Sequence, residues 1–353
     1  MYMKTKLLTS FFTLFLFFGI YFFRGTKEAY IYTGEKMKGM SFVAPKQEIG
    51  IEAMQAIKNT NSNWISLMPY SFLPKNSSEL RFEEKIDLSK NGYQWWGETP
   101  NGTKECIKMA HNKDLKVMVK PHIWLGWNEF TGHLNFNTEQ EWQVFEKSYS
   151  RYLLAFAKIS EEEHAELFCI ATEMQNHVKQ RPEFWNKIII DIRKIYKGKL
   201  TYAENWDAFE DVPFWNQMEY IGIDGYFPLS KLKDPDEKTL IKGWKSHLDN
   251  IVELANKYKK PILFTEIGYR SCDYSTAKPW ETDFSLPDNE NLQAKAYKVF
   301  FTKVWNQPYF AGAFIWKWFP NLSENPKHKD SFTPQRKMAE VVLKDAFGKI
   351  DVK

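Results

Sequence analysis

Two glutamates end short apolar runs. Glu266 follows Pro261–Phe264 in KKPILFTEIGYRSC, and Glu173 closes AELFCIATEM. The plain reading of either is a strand that has surfaced, leaving its carboxylate in water. The ends of the other apolar runs change that weighting. KPHIW carries His122 and Trp124, AENW carries Asn205 and Trp206, GIDGY carries Asp224 and Tyr226, and FIWKW carries Trp316. This set is acidic, aromatic and amide-bearing, with one histidine and no metal-ligand spacing. Two carboxyl groups that meet can divide the labour of breaking a glycosidic bond. One protonates the leaving oxygen, and the other attacks or activates water. Tryptophans with apolar faces and a polar N–H are suited to flat ligands with polar rims, as sugars are.

These residues need elements that bring them together. Short apolar strands alternate with amphipathic helices along the chain: MKGMSFVA, then QEIGIEAMQAIKNT; SNWISLMPY, then TKECIKMAHNKD; LKVMVKPHIW, then TEQEWQVFEKSYSRYLLAFAKISEEE. AELFCIATEM is followed by RPEFWNKIIIDIRKIYK. GKLTYAENW leads into a short, broken helix, DAFEDVPFWNQ. MEYIGIDGY, PILFTEIGY and YFAGAFIWKW each precede a further helix. Apolar strands alternating with helices imply parallel strands covered on both faces. Eight such units over about 310 residues fit a (β/α)8 TIM barrel. The alternative is a doubly wound open sheet, which usually carries a glycine-rich turn after its first strand; none follows GMSFVAPKQE. In the barrel, Glu173 and Glu266 end strands four and seven, nearly opposite in the ring. Opposed tips can bring two carboxyls within the roughly 5–5.5 Å that retention of configuration requires.

Composition narrows the function classes. The chain has 353 residues, 43% apolar and 26% charged, with a formal charge of +4. Bases scattered among acids leave no nucleic-acid footprint. The 14 Trp, 17 Tyr and 28 Phe exceed what a core needs, and Trp95, Trp96, Trp124, Trp127, Trp206, Trp316 and Trp318 lie near loop residues. Cys106, Cys169 and Cys272 read as buried thiols rather than a disulfide framework. The N-terminus has Lys4 and Lys6 before the apolar run Leu7 to Phe23. This predicts a signal anchor, with a cleaved signal as the alternative, and so an exported protein, membrane-anchored or secreted. Residues 1–36 are read as this segment and its linker, and 37–353 as the barrel.

The chain resembles a known family. Glutamates ending strands four and seven of a (β/α)8 barrel mark a large clan of retaining glycosidases. LKVMVKPHIW, FTEIGYRS with KPW, and AGAFIWKWFP with SFTPQRKMAEVV are similar to strands three, seven and eight and the last helix of glycoside hydrolase family 113, known for endo-β-1,4-mannanases. The resemblance covers residues 37 to 347. It implies Glu173 as acid/base and Glu266 as nucleophile, no cofactor or metal, and a β-linked mannan or glucomannan as substrate. It also places Tyr226 where a tyrosine hydrogen-bonds the nucleophile. One departure is Thr172, where most of the clan has an asparagine that binds the sugar 2-hydroxyl; Asn176 or Asn205 could replace it. His122 is a candidate for contacting sugar or carboxylate, and Asp224 for anchoring a loop or ordering Arg270. Trp316 would lie under the reacting sugar, and Trp95, Trp96, Trp124, Trp127 and Trp206 would be outer platforms. A β-glucanase or glucomannanase would use the same pair. A barrel that binds carbohydrate without catalysis would need the aromatics but not both glutamates.

Overall fold

The computed structural model describes residues 30–82, 94–126, 129–283, 285–321 and 332–349. The apolar run Leu7 to Phe23 and Trp127 lie outside them.

Eight parallel strands close into a barrel: β1 (Met37–Phe42), β2 (Trp64–Leu67), β4 (Lys116–Val119), β6 (Leu167–Thr172), β7 (Lys199–Asn205), β8 (Ile221–Asp224), β9 (Ile262–Ile267) and β10 (Phe310–Trp318), with β10 returning to β1. Helices α1 (Glu52–Lys58), α2 (Pro100–His111), α3 (Glu139–Glu162), α4 (Gln175–Gln180), α5 (Pro182–Ile195), α6 (Glu237–Tyr258), α7 (Glu290–Lys303) and α8 (Met338–Gly348) follow the strands. The expected TIM barrel is therefore the fold. The broken helix expected between β7 and β8 is two short 3-10 turns, Phe209–Asp211 and Trp215–Gln217.

Two apolar clusters follow from strand alternation. Met37, Trp64, Met118, Leu167, Cys169, Ala203, Leu263, Ala311 and Phe314, one or two from almost every strand, meet with Tyr220 inside the barrel. The alternate strand residues face outward and pack against the helices in one large cluster. Helix ends are fixed locally. Thr138 accepts from the Glu141 N–H while the Glu141 side chain returns to the Thr138 N–H, a capping box that starts α3.

Two expected strands run on past the barrel. SNWISLMPY and LKVMVKPHIW each break at a proline, Pro69 and Pro121, which cannot donate to a ladder. Beyond the breaks, β3 (Tyr70–Leu73) and β5 (His122–Leu125) pair with each other as a separate two-stranded sheet. This pair stands above β2 and β4. Residues 30–36, expected as linker, are tied to the barrel. The Tyr32 N–H donates to the Pro308 carbonyl (2.8 Å), and Lys36 Nζ donates to the carbonyls of Trp305 (2.6 Å) and Phe310 (2.8 Å). The barrel body therefore includes Tyr30 to Lys36.

Barrel closure depends on one glycine. Gly312 pairs with Met37 and has φ +142°, and a Cβ there would lie 2.3 Å from the Met37 carbonyl oxygen. Neither backbone can yield without losing the β1–β10 ladder. Gly312→Ala is expected to destabilise the fold by about 2–3 kcal/mol, read as a lowered urea midpoint at unchanged slope; a loss below about 0.5 kcal/mol would show that the seam relaxes.

Candidate active site

The strand tips converge on a buried cluster of charge. Lys120, just beyond β4, is fully buried. It lies two residues after the inward-facing Met118, so alternation turns it inward too. Its ammonium donates to both Asp224 oxygens, at 2.9 and 3.1 Å, and to Glu266 Oε1. Glu266 Oε2 accepts from the Tyr226 hydroxyl at 2.6 Å. Thr265 Oγ1 donates to Asp224 Oδ1 at 2.7 Å.

Strict alternation would send Glu266 to the helix side if Thr265 faces the mouth. A register slip resolves this. Ile223 pairs with Phe264 but Asp224 with Glu266, so β9 carries one extra residue, and the same slip recurs against β10 between Phe264 and Ile267. The bulge lets consecutive residues face the same cluster, Thr265 reaching Asp224 and Glu266 reaching Lys120.

Glu173 arrives by a similar device. Between Cys169 and Thr172, β6 slips one residue against β7. Glu173 then takes the left-handed conformation, φ +51°, while its N–H donates to the Ala203 carbonyl at 2.7 Å. A non-glycine residue held there costs of order 1 kcal/mol, and such strain clusters at functional positions. The Glu173 carboxyl makes no hydrogen bond to the described residues.

The two glutamates are electrically unlike. Burial pushes Glu173 well above the usual carboxylate range, and the charges of Asp224 and Glu266 push it further; Lys120 offsets only part. Burial and Asp224 also raise Glu266, but Lys120 and the Tyr226 hydroxyl act directly on its anion and pull it back. Of the pair, Glu173 is the one favoured to hold a proton and Glu266 the one favoured as the anion.

His122 sits between Tyr70 (ring centroids 4.7 Å) and Trp316 (6.3 Å, planes 28° apart). Its Nε2 is buried without a hydrogen bond, 3.7 Å from Glu266 Oε1. Burial, helped by the Lys120 charge, drives its pKa well below the ordinary value, so the ring is neutral. Trp316 is partly exposed beside it. Asn205 commits its Oδ1 to the Trp206 N–H (2.9 Å). Trp206 stacks on Trp280 (5.3 Å, 21°). Trp124 is 55% exposed and Trp280 44%.

Two placements differ from expectation, and a third residue, Thr172, is set apart by its burial. Trp96 is 7% exposed and packed in the outer core, so it has no open face for a platform. Asp224 does not order Arg270, whose Nη1 donates to the Asp283 carbonyl (2.9 Å); its partner is Lys120. Thr172 Oγ1 is buried with no hydrogen bond. Sequence reasoning missed Lys120, Tyr70 and Trp280. The signal for Lys120 was a lone charge before Pro121 at the end of VMV. Glu204 was missed as well; it accepts from the Tyr202 hydroxyl (2.7 Å) and the Asn205 N–H (2.9 Å), and burial raises its pKa to about 7. Among the described residues no group of three or more His, Cys, Asp or Glu is arranged to hold a metal ion, and no helix is long and apolar enough to cross a membrane.

A (β/α)8 barrel with two electrically unlike carboxyls at the C-terminal ends of its fourth and seventh strands defines the class as a glycosidase barrel. Residues 42–337 match the family described as Glycoside Hydrolase Family 113, and the chain belongs to that family. It is therefore a glycoside hydrolase. Its structure is similar to that of a GH113 β-mannanase from Alicyclobacillus acidocaldarius in complex with ManMIm (22% identity, TM-score 0.77, covering 89% of this chain and 98% of that one). It is also similar to a GH113 β-1,4-mannanase solved as a complex (25% identity, TM-score 0.76, covering 90% and 100%). A Faecalibacterium prausnitzii β-glucuronidase shares the fold at 12% identity and TM-score 0.59, over 90% of this chain and 49% of that one. Comparison with curated proteins gives no match.

Proposed function

We propose that this glycoside hydrolase is a retaining endo-β-1,4-mannanase with Glu173 as acid/base and Glu266 as nucleophile. The observation that carries the reading is the unequal hydrogen bonding of the two carboxyls. Glu266 is an oriented anion, with one oxygen on Lys120 and the other on Tyr226. Glu173 is half-buried, unbonded among the described residues and repelled by neighbouring carboxylates, which favours its protonated form.

In the first half-reaction a Glu266 oxygen bonds the anomeric carbon, and the leaving oxygen takes the Glu173 proton. Esterification removes the Glu266 charge, so the Glu173 pKa falls. The Glu173 carboxylate then accepts a proton from water as the water oxygen attacks the anomeric carbon, and the bond to Glu266 breaks with its electron pair returning to the carboxylate. His122 and Trp316 shape the floor beside Glu266. The exposed faces of Trp124 and of the Trp206–Trp280 stack are sugar platforms flanking it.

The substrate class is supported by the family and by the relatives solved as β-1,4-mannanases. The proposal includes export, through the apolar run Leu7 to Phe23. The test is a panel of mannan, glucomannan, cellulose and xylan, with products sized and the first anomer read by proton NMR. Shortened mannan chains whose new ends are initially β are expected. An initial α anomer would remove the retaining mechanism, and action on cellulose alone would remove the mannanase.

A further inference from the structure

The tightest set of contacts at the barrel mouth involves two residues to which the reaction above gives no step, Lys120 and Asp224. Both are fully buried, and an ammonium in such a place costs heavily unless its charge is matched. Here two carboxylates match it. Its Nζ bonds both oxygens of Asp224, at 2.9 and 3.1 Å, and Glu266 Oε1. Asp224 is itself fixed by Thr265 Oγ1 at 2.7 Å. A continuous chain of hydrogen bonds thus runs Thr265–Asp224–Lys120–Glu266–Tyr226. One cation is shared between two anions, and only one of those anions reacts.

We propose that Lys120 and Asp224 are positioning residues that act as an opposed pair: the Lys120 ammonium keeps buried Glu266 an oriented anion, and Asp224 limits how much of that charge Glu266 receives. The proposal rests on Glu266 being the nucleophile. A shared cation serves the cycle in both directions. Fully paired to Lys120, Glu266 would be a weak nucleophile; without Lys120 it would sit beside Asp224 and take up a proton instead of attacking.

The titratable groups around Glu266 and its partner carboxyl come from most of the ring. They are Tyr70 on β3, Lys120 after β4, His122 on β5, Cys169 and Glu173 on and after β6, Glu204 on β7, and Asp224 and Tyr226 on and after β8. Tyr70 and Tyr226 are pushed well up by burial and stay phenols. Burial lifts the Cys169 thiol to about 12, and His122 is neutral. Burial pulls the Lys120 ammonium down, but Asp224 and Glu266 more than restore it, so it stays charged. The limbs of a pH profile then report chiefly Glu266 and Glu173, and Glu204 is held by its own partners on Tyr202 and Asn205.

The signs follow from charge. Removing the Lys120 cation makes both Glu266 and Glu173 harder to ionise. Removing the Asp224 anion makes both easier, because Asp224 raises each of them. The experiment is the pH profile of kcat/KM on an activated aryl β-mannobioside, for the whole protein and three variants. Lys120→Met is expected to move the acidic limb up by about one pH unit or more and to cut neutral activity at least about tenfold. Asp224→Asn is expected to move the limb down. The double variant, neutral at both positions, is expected to return the limb to within about half a unit of the native one. Merely structural roles would lower activity without moving the limbs in opposite directions. Limbs that stay put, limbs that move the same way, or a double variant no nearer native than Lys120→Met alone would overturn the pair. If Lys120→Met does not fold, Asp224→Asn decides: a downward limb supports the pair, and a fixed or upward limb overturns it. Glu266→Gln separates the two ideas. Activity retained there removes the nucleophile assignment itself, whereas an inactive Glu266→Gln beside unmoved limbs removes only the Lys120–Asp224 proposal.

Discussion

Glu266→Gln is expected to lower kcat/KM by about three orders of magnitude or more while leaving the melting temperature almost unchanged. The amide keeps the shape of the side chain but cannot form the glycosyl ester. The cluster tolerates the change because Lys120 still pairs with both oxygens of Asp224. The amide oxygen can accept from Lys120 in place of Glu266 Oε1. Its NH2 group meets the Tyr226 hydroxyl, which can turn from donor to acceptor. Oligosaccharide affinity, measured by calorimetry, should stay within a few fold of native. More than about a tenth of native turnover would mean that another group attacks.

The second large effect concerns Glu173. Glu173→Ala removes the proton donor but leaves Glu266 on its two partners. Loss should therefore depend on the leaving group. Mannan, whose leaving oxygen needs a proton, is expected to lose about a thousandfold, and an aryl mannoside with an acidic phenol much less in the first step. Its glycosyl-enzyme should accumulate, because no base activates water. Azide, which needs no base, should restore turnover and give a β-glycosyl azide. An α product, or equal losses on both substrates, would contradict the assignment. Raising the pH should also discriminate. With Glu173 as the acid, its deprotonation would limit the native enzyme on the basic side, so that limb should vanish from the kcat/KM profile of Glu173→Ala.

The barrel was readable because its signal is repeated: apolar strands of similar length, each followed by an amphipathic helix, leave few ways to bury both faces of a sheet. The carboxylates at the tips of β6 and β9 were readable as interruptions of apolar runs. What stayed hidden depends on parity and register. A one-residue slip in β9 decides whether Thr265 and Glu266 face the same way, and nothing in FTEIGY announces it. Lys120 was masked because VMVKPHIW reads as one strand ending at Trp124, whereas Pro121 divides it and leaves the lysine at the true barrel end. Trp96 and Trp124 show that a tryptophan near glycine or proline can be buried or exposed; only the packing around it separates the two. Trp280 was in view within KPW, but its stacking on Trp206 joins loops far apart in the chain.

The barrel interior changes character along its axis. One end is filled by Met37, Trp64, Met118, Leu167, Leu263 and Phe314, and the other holds Lys120, Asp224 and Glu266 in almost equal seclusion from water. Ion clusters of this kind are often less stabilising than apolar side chains of the same volume. The mouth is thus a standing thermodynamic burden carried by the greasy end. An engineer seeking a hardier catalyst would gain most quickly by replacing the charged trio with apolar residues, and would obtain a heat-resistant, inert barrel. Durable improvement with turnover intact belongs at the opposite pole, around Tyr32 and Tyr220.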